Sequence, residues 1–327
     1  MKAIVQDEFG SADVLEFREI PEPVIDEGEV LISVRAAGCG PDVWHIMAGK
    51  PNLVRAIPEV RRALRSPRGR DVAGVVERVG ANVTDFVSGD EVMGVVEGSF
   101  AEVAAGDPAK LARKPAQLSF EEAAAVPISA TTALQALRDV SDVHPGRRVL
   151  IVGAGGGVGT FAVQIAKAFG AEVTGVCSAE KAELVRSLGA DDVIDYTKED
   201  FTDGARRWDV IVDCAGRRPL RHLRRALTPN GALAIVGGDG GGEWTGGFFR
   251  QMLRAPLASL FTGQKLRPVT AKTTREDLEG LNSLIQEGKL KPVVDRTFAL
   301  PEAADAIRYL ERGHATGKIV VTVSYQT

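Results

Sequence analysis

The sequence predicts an α/β protein in which a doubly wound parallel sheet is joined to a second, β-rich and partly barrel-like domain. Three observations predict this fold. An apolar strand runs directly into a glycine-rich turn and a helix at residues 150–160, strands and helices alternate after that turn, and short strands separated by Gly, Pro and Asp precede it. Alternating strands and helices are typical of a parallel sheet covered on both faces.

The glycine-rich turn has the composition of a phosphate-binding turn. Its glycines follow the apolar run Leu150–Val152 with a spacing of three. Glycine lets the backbone turn tightly and approach a pyrophosphate, and the helix that follows presents unpaired N–H groups to the anion. A purely structural tight turn would look similar. The residues expected to contact the phosphates are Gly153, Gly156, Gly157, Val158 and Gly159.

The residues after the turn repeat a strand and helix pattern. Residues 161–169 carry apolar side chains at helical spacing, and Gly170 ends this helix before the strand Glu172–Val176. Six strands with interleaved helices predict a dinucleotide-binding fold. The further strands are predicted at Val193–Asp195, Val210–Cys214, Ala232–Val236 and Leu266–Thr270, and the further helices at Glu180–Leu188 and Leu220–Leu227.

The end of the second strand indicates which dinucleotide binds. NAD sites place an acidic residue there, whereas the 2′-phosphate of NADP needs a cation and no carboxylate. Here Ser178 offers a hydroxyl group and Lys181 a positive charge. The alternatives are that Ser178 only caps the next helix and that Glu180 is the acidic residue of an NAD site. We expect NADP(H) to be preferred over NAD(H).

The flanking segments predict the second domain. Short strands alternate with turns up to residue 118, and a strand, a helix and a strand follow residue 293. We therefore expect one domain from residues 1–120 and 273–327 and a dinucleotide-binding domain from residues 121–272. The predicted strands are Val30–Arg35, Asp71–Val79, Asp90–Val95, Ala101–Val103, Val293–Leu300 and Gly317–Val323, with a helix at Pro301–Arg312.

Composition and charge limit the partners. The chain has 327 residues and a net charge of −4, which argues against nucleic acid as the main partner. No segment approaches the length of about 18 apolar residues that a membrane span requires, and the N-terminus starts as a strand rather than a signal. Cys39, Cys177 and Cys214 are far apart in sequence, which suits a reducing compartment. We expect a cytoplasmic protein that binds neither nucleic acid nor membranes.

Four further segments carry a resemblance to a known family. They are Gly38-Cys-Gly-Pro-Asp42, Gly69-Arg-Asp-Val-Ala-Gly-Val-Val76, Asp90-Glu-Val-Met-Gly94 and Ala123-Ala-Ala-Val-Pro127. In this order before the glycine turn, they resemble the medium-chain dehydrogenase/reductase superfamily. Ala162-Val-Gln-Ile-Ala-Lys167 and Leu188-Gly-Ala-Asp191 are similar to its zinc-independent quinone oxidoreductases and enoyl reductases. The resemblance implies a Rossmann domain, a GroES-like catalytic domain, a homodimer joined through the last strand of the nucleotide fold, and an active site in the cleft between the domains.

The zinc ligands of the superfamily are incomplete in this sequence. Catalytic zinc needs two thiolates and an imidazole, or a similar set, with one open position. Cys39 stands at the first ligand position, but Arg70 replaces the imidazole and Ile128 lies where the second thiolate would fall. A guanidinium group cannot bind a cation. We therefore expect no zinc.

The missing metal favours particular substrates. Reduction of a simple ketone concentrates charge on one oxygen, whereas a quinone or an α,β-unsaturated carbonyl spreads it by conjugation. We expect an NADPH-dependent reductase of conjugated acceptors. Two alternatives stay open: a metal-free alcohol or ketone dehydrogenase, and a noncatalytic NADPH-binding protein with a structural or RNA-binding role.

The resemblance also implies roles for individual residues. Thr131 or Thr132 would contact the nicotinamide half of the cofactor, unless it only caps a helix. Gly237 and Gly238 would let the nicotinamide ring lie against the backbone, and Tyr196 would lie near the 2′-phosphate.

The segment after Cys39 is expected to face the substrate. Asp42 and His45 are candidate proton donors and Trp44 is a candidate substrate contact. Pro41 removes the hydroxyl group that relatives use for a proton relay. A packed or solvated histidine is the alternative for His45.

Two arginine-rich stretches remain. Solvated faces are the ordinary interpretation of both. The alternative for the first stretch is a cleft mouth that favours acidic substrates such as acyl-CoA esters. The first contains Arg55, Arg61, Arg62, Arg65, Arg68 and Arg70, and the second contains Arg217, Arg218, Arg221, Arg224 and Arg225.

Overall fold

The structure is a computed structural model that describes residues 1–56, 64, 66–237 and 254–324. The chain forms two compact units. The first contains Met1–Ile128, Thr273–Glu287 and Pro292–Thr327, and the second contains Ser129–Lys272 and Gly288–Lys291.

The first unit is built around a mixed sheet. Its strands are β1 (Lys2–Val5), β2 (Glu16–Glu19), β3 (Val30–Cys39), β4 (Asp71–Val79), β5 (Glu91–Val95), β6 (Val103–Gly106), β7 (Leu111–Arg113), β14 (Val294–Ala299) and β15 (Lys318–Thr322). Its helices are α1 (Pro41–Ala48), α2 (Phe120–Ala124), α7 (Arg275–Gln286) and α8 (Ala303–Glu311), with 3₁₀ turns at Ala12–Val14, Asn52–Ala56, Pro108–Lys110 and Leu300–Glu302.

Seven of these strands form one sheet. Six of them follow the order β14-β15-β3-β4-β5-β7, and the seventh, β6, pairs with β3. The strands β1 and β2 form a separate hairpin. All neighbours in the larger sheet are antiparallel except β14 and β15. The long strand β3 is buried along most of its length. Its antiparallel pairing with β4 and β15 places its carboxyl end beside the first residues of both strands. An apolar core, which includes Ile32, Val72 and Ile319, holds the strands together.

The second unit contains the glycine turn. Its helices are α3 (Pro127–Gln135), whose first two residues belong to the first unit, α4 (Gly157–Ala168), α5 (Ala182–Ser187) and α6 (Leu220–Arg225), with a π-helical turn at Ala136–Val140 and a 3₁₀ turn at Ala179–Lys181. Its strands are β8 (Arg148–Val152), β9 (Glu172–Cys177), β10 (Asp192–Asp195), β11 (Trp208–Asp213), β12 (Leu227–Ile235) and β13 (Lys265–Pro268).

The six strands form one parallel sheet in the order β10-β9-β8-β11-β12-β13. Of these six strands, β8 comes first along the chain and lies third in the sheet, and the strand order reverses between β8 and β11. A doubly wound sheet binds its ligand at this reversal, outside the carboxyl ends of the strands. The predicted α/β fold class is confirmed, and the glycine turn lies at the reversal point.

Some predicted elements have different bounds. The strand expected at Ala101–Val103 is β6 at Val103–Gly106, while Ala101 forms an isolated bridge with Ala3. The helix expected from Glu180 is a 3₁₀ turn followed by α5. The ends of helices and strands are set locally, by Ser and Thr side chains or by glycines. Apolar periodicity indicates only the middle of an element, so it does not fix the first and last residues.

Candidate functional site

The glycine turn is held by close backbone contacts that only glycine permits. Gly153 has φ of 82°, and its N–H and that of Ala154 both donate to the Val176 carbonyl at 3.0 Å. A Cβ atom at Gly159 would lie 2.1 Å from the Gly153 carbonyl oxygen. The third glycine of the motif therefore lets α4 start directly against the turn.

The first turn of α4 has unpaired backbone N–H groups, as anion-binding helix starts do. Gly156 is the N-cap and offers no side chain to the helix, and no acidic residue lies in the first turn. The first intrahelical bond joins the Thr160 N–H to the Gly156 carbonyl at 3.0 Å. The N–H groups of Gly157, Val158 and Gly159 come before it and have no intrahelical acceptor. They face the carboxyl edge of the sheet with the positive end of the helix dipole.

Lys181 lies against this turn. A Cβ atom at Gly155 would approach the Lys181 Cδ atom to 2.7 Å, so the lysine stem crosses the glycines. Ser178 occupies the N-cap position of the 3₁₀ turn, but its side chain makes no capping hydrogen bond there. Glu180 is exposed on the same turn. The arrangement brings a cation and a hydroxyl group to the end of β9, beside the unpaired N–H groups at the start of α4.

Tyr196 follows the neighbouring strand β10. Its N–H donates to the Cys177 carbonyl at 3.3 Å, and its side chain is 49% exposed. Because Asp195 pairs with Cys177 in the sheet register, Tyr196 and Ser178 each follow one of two paired residues at the same edge. A half-exposed aromatic ring at this edge is available to a bound ligand.

Asp213 is a buried acidic residue at the carboxyl edge of the sheet that the sequence analysis did not single out. It is fully buried at the end of β11, where it accepts hydrogen bonds from the N–H groups of Ala215 (3.2 Å) and Gly216 (2.9 Å). Within the described residues its Oδ2 atom has no partner. Burial raises the pKa of this carboxyl group to about 6, although the two N–H bonds oppose the rise. The signal available in the sequence was an acidic residue at the end of an apolar strand.

Gly237 lies beside the Asp213 loop. Its N–H donates to the Asp213 carbonyl at 3.1 Å, and a Cβ atom would lie 2.4 Å from the Cys214 carbonyl oxygen. Glycine is therefore required here by the backbone. Gly238 lies outside the described residues.

Thr131 and Thr132 lie inside a helix rather than at its start. The helix α3 begins at Pro127, so neither threonine occupies a capping position, contrary to the capping alternative. Thr131 is fully buried, and its hydroxyl group has no partner among the described residues. A buried hydroxyl group without a partner fits a polar ligand group.

In the first unit, a buried ion pair joins Lys318 to Asp71, the residue that follows Arg70. Lys318 Nζ lies 3.0 Å from Asp71 Oδ2, and both side chains are at most 4% exposed. The other carboxylate oxygen of Asp71 accepts the Ile128 N–H at 2.8 Å. Burial lowers the pKa of Lys318, but the charges of Asp71 and Asp42 outweigh it and raise the pKa overall. Sequence reasoning missed Lys318 because it is 247 residues from Asp71.

The other residues around this pair do not form a metal site. Burial raises the pKa of the Cys39 thiol to about 12, so it is protonated at neutral pH. Arg70 lies 3.4 Å from Glu97 and supplies no ligand. Among the residues that the structure describes, no group of three His, Cys, Asp or Glu side chains could hold a metal ion. The donor set does not fit zinc.

The candidate substrate segment is helix α1. Asp42 Oδ2 is buried, and no described residue partners it; burial, followed by the charge of Asp71, raises the pKa of this carboxyl group. Trp44 Nε1 donates to Glu311 at 2.6 Å. His45 Nδ1 lies 3.0 Å from the Lys50 carbonyl oxygen, so Nε2 is the ring nitrogen that does not take part in this contact. Trp44 and His45 also touch edge to face.

The arginines of the first arginine-rich stretch have local partners where they are described. Arg55 Nε donates to the Gly49 carbonyl at 3.0 Å, and Arg68 is buried with Nη2 on the Ser66 carbonyl at 2.5 Å. Arg61, Arg62 and Arg65 lie outside the described residues. In the parts of the chain with described structure, we find no helix with the length and apolar character of a membrane span.

Comparison with known proteins identifies relatives over the whole chain. Residues 26–135 match the alcohol dehydrogenase GroES-like domain, residues 120–217 match the alanine dehydrogenase/PNT C-terminal domain, and residues 188–321 match the zinc-binding dehydrogenase family. A chloroplast envelope quinone oxidoreductase homolog of Arabidopsis thaliana is 33% identical, with 95% of each chain covered.

A second relative and a solved structure agree with this match. The NADPH-dependent alkenal/one oxidoreductase of Arabidopsis thaliana chloroplasts is 35% identical, covering 98% of this chain and 79% of its own. The structure of the quinone oxidoreductase from Coxiella burnetii superposes with a TM-score of 0.87 at 30% identity and covers 99% of both chains.

Proposed function

Because the chain belongs to the medium-chain dehydrogenase/reductase superfamily, in its quinone oxidoreductase and enoyl reductase branch, we propose that NADPH is its hydride donor and that no zinc takes part. The protein is a nicotinamide-dependent oxidoreductase that acts on quinone or enone acceptors. The observation that carries the zinc-free part of the proposal is the buried Asp71–Lys318 ion pair, which directly follows Arg70, the residue at the expected imidazole position. It lies beside a protonated Cys39 thiol and the non-ligating Arg70.

The preference for NADPH rests on the edge formed by β9 and β10. The pyrophosphate would be held by the N–H groups of Gly157, Val158 and Gly159, which the turn from Gly153 to Gly156 exposes. Lys181 and Ser178 would bind the 2′-phosphate, with Tyr196 beside it. A point charge and a hydroxyl donor match a phosphate dianion.

The nicotinamide half would meet different residues. We propose that the Thr131 hydroxyl group, buried without a described partner, hydrogen-bonds the cofactor, with Thr132 on the same helix. Gly237 and Gly238 would leave room for the nicotinamide ring. Bound in this way, NADPH supplies a hydride to the conjugated system.

The substrate oxygen gains negative charge as the hydride arrives. In a quinone or enone this charge is delocalised, so hydrogen bonds and a proton from water or a weak acid are sufficient. We propose Asp42 or His45 as that acid. We propose Trp44 as a substrate contact. The raised pKa of Asp42 favours its proton-donating form.

The proposal is tested by steady-state oxidation of NADPH and NADH against quinones, enals, enoyl-CoA esters and simple ketones, with and without a chelator. We expect turnover with conjugated acceptors, a higher kcat/KM with NADPH, and no effect of the chelator. Chelator-sensitive turnover would contradict the zinc-free proposal. Turnover of ketones alone would favour a metal-free ketone dehydrogenase. Tight NADPH binding without turnover would favour a noncatalytic protein.

We also propose a homodimer in the cytoplasm. The strand β13 is an edge of the six-stranded sheet, and Leu257, Leu260 and Phe261 precede it with exposures of 59%, 76% and 86%. An open strand edge beside apolar side chains is a suitable surface for a second copy. All three cysteines are free, in keeping with a reducing compartment.

A further inference from the structure

We propose that the second unit has an additional anion site, specific for phosphate groups, at a cavity lined by three arginines. The cavity has a volume of about 410 Å³ and opens to solvent. Its walls come from α6, from the start of β12 and from the turn before β13. The lining residues are Arg221, Arg224, Arg225, Pro229, Thr262 and Gln264.

This cavity is remote from the cofactor turn within the same sheet. Pro229 lies near the beginning of β12, and Gln264 immediately precedes β13. The glycine turn follows the end of β8. Because all six strands are parallel, the cavity lies at the amino edge of the sheet and the glycine turn at the carboxyl edge. A ligand in the cavity would therefore not occupy the proposed NADPH site.

The sequence segment that contains the cavity residues is rich in basic residues and poor in acidic ones. Residues 214–272 contain ten Arg and Lys residues but only two acidic residues, Asp239 and Glu243. This segment has a net charge of +8, whereas the whole chain has −4. Such an asymmetry raises the local concentration of anions.

The arginines of the cavity have no carboxylate partner among the described residues. Arg221 Nε donates to His222 Nε2 at 3.2 Å, and Arg224 Nε donates to Gln264 Oε1 at 3.1 Å. Gln264 Nε2 in turn donates to the Arg224 carbonyl at 2.9 Å, which fixes this wall. The remaining guanidinium N–H groups are available to a ligand.

The stability of α6 does not account for this cluster. Arg224 and Arg225 lie in its last turn, where cations interact favourably with the helix dipole, but Arg221 lies in the first turn, where they do not. Arg221 is also three and four residues from the other two arginines. Like charges at these spacings on a helix repel each other. A bound anion would reverse this repulsion.

Guanidinium groups select the ligand class. Their planar N–H pairs match the oxygens of a phosphate group and bind it in bidentate fashion. The volume suits a phosphate or pyrophosphate group with part of its parent molecule. The group can belong to a free phosphorylated compound or to an anionic lipid headgroup, and both offer the same oxygens.

The test is calorimetric titration of pyrophosphate at constant ionic strength, with the cofactor site filled by saturating NADPH. The wild type is compared with Arg221→Gln/Arg225→Gln and with a matched control, Arg207→Gln/Arg312→Gln, which removes two exposed arginines elsewhere. We expect binding by the wild type and the control, and affinity at least about tenfold lower in the first variant. Equal affinity in all three proteins would overturn the proposal.

Two further measurements complete the test. The first measurement is sedimentation with phosphatidylcholine vesicles that contain or lack phosphatidylserine. If the wild type and the control bind the anionic vesicles and the first variant does not, the phosphate group that the cavity binds belongs to a lipid headgroup. Without anion, the first variant should show a cooperative thermal melt like that of the wild type, which shows that it folds. Binding of a single-stranded RNA without any binding of pyrophosphate would also overturn the proposal, because it would indicate a diffuse basic surface.

Discussion

Cofactor choice is expected to depend on the single charge of Lys181. The lysine stem crosses Gly155 at the phosphate turn, and we predict that Lys181→Gln weakens NADPH binding about tenfold, the effect of losing one charge-assisted hydrogen bond. NADH has no 2′-phosphate, so its affinity should not change. Fluorescence titration of both cofactors measures the two values. The matched control is Lys265→Gln, at the start of β13. Equal weakening for NADH would contradict the assignment.

The buried carboxyl group of Asp213 should make stability depend on pH. Its pKa is about 6 when folded and 3.8 in the reference state, so between these values the folded chain holds a proton that the unfolded chain has lost. The free energy of unfolding therefore falls as pH rises through this window, by up to about 3 kcal/mol. We predict that Asp213→Asn removes this loss.

Urea denaturation at several pH values from 4 to 7 measures this effect. Asp209→Asn on the same strand is the control, because hydrogen bonds from Arg148 outweigh burial and lower the pKa of Asp209. The stability that Asp209 adds is lost as pH falls, so the control should change the pH profile in the opposite sense. An unchanged profile for Asp213→Asn would mean that this carboxyl group is not the cause.

At the level of elements, the junction of turn and helix depends on Gly159. Its Cβ would lie 2.1 Å from the Gly153 carbonyl, so Gly159→Ala must displace α4 from the turn. We predict a loss of about 1–3 kcal/mol of stability and loss of NADPH binding. Gly280→Ala in α7 meets no atom within 4 Å and should instead stabilise by about 0.5–1 kcal/mol. Thermal melts and NADPH titrations of both variants measure these effects. If Gly159→Ala bound NADPH with wild-type affinity, the glycine turn would not be the phosphate-binding site.

The Asp71–Lys318 pair joins the first residues of β4 and β15, the strands on either side of β3. Lys318→Met leaves two acidic groups buried without their cation and should destabilise by about 3–5 kcal/mol. Asp71→Asn/Lys318→Met removes the unpaired charge and should recover part of this loss. Urea denaturation of the single and double variants gives the coupling free energy, and additive losses would show that the two side chains act independently.

For the whole molecule, the parallel sheet was predictable because its strands are buried on both faces. Such strands are nearly continuous apolar runs, as in Val149–Val152 and Val210–Val212. The polar interior was not predictable in this way. Lys318 and Asp71 meet only through the order of strands, and the pKa of Asp213 depends on tertiary burial. The start of α3 at Pro127 was also missed, so the threonines were placed at a helix end.

The assembly provides the last prediction. Leu260 and Phe261 are 76% and 86% exposed immediately before the edge strand β13. A second copy would cover them and pair its β13 antiparallel across a two-fold axis, with Pro268 at a position that donates no hydrogen bond. We predict that the wild type sediments as a dimer and that Leu260→Asp/Phe261→Asp is monomeric but still binds NADPH. The control is Val24→Asp, which adds a charge at a 92% exposed site and should stay dimeric. A monomeric wild type in sedimentation velocity at micromolar concentration would exclude this interface.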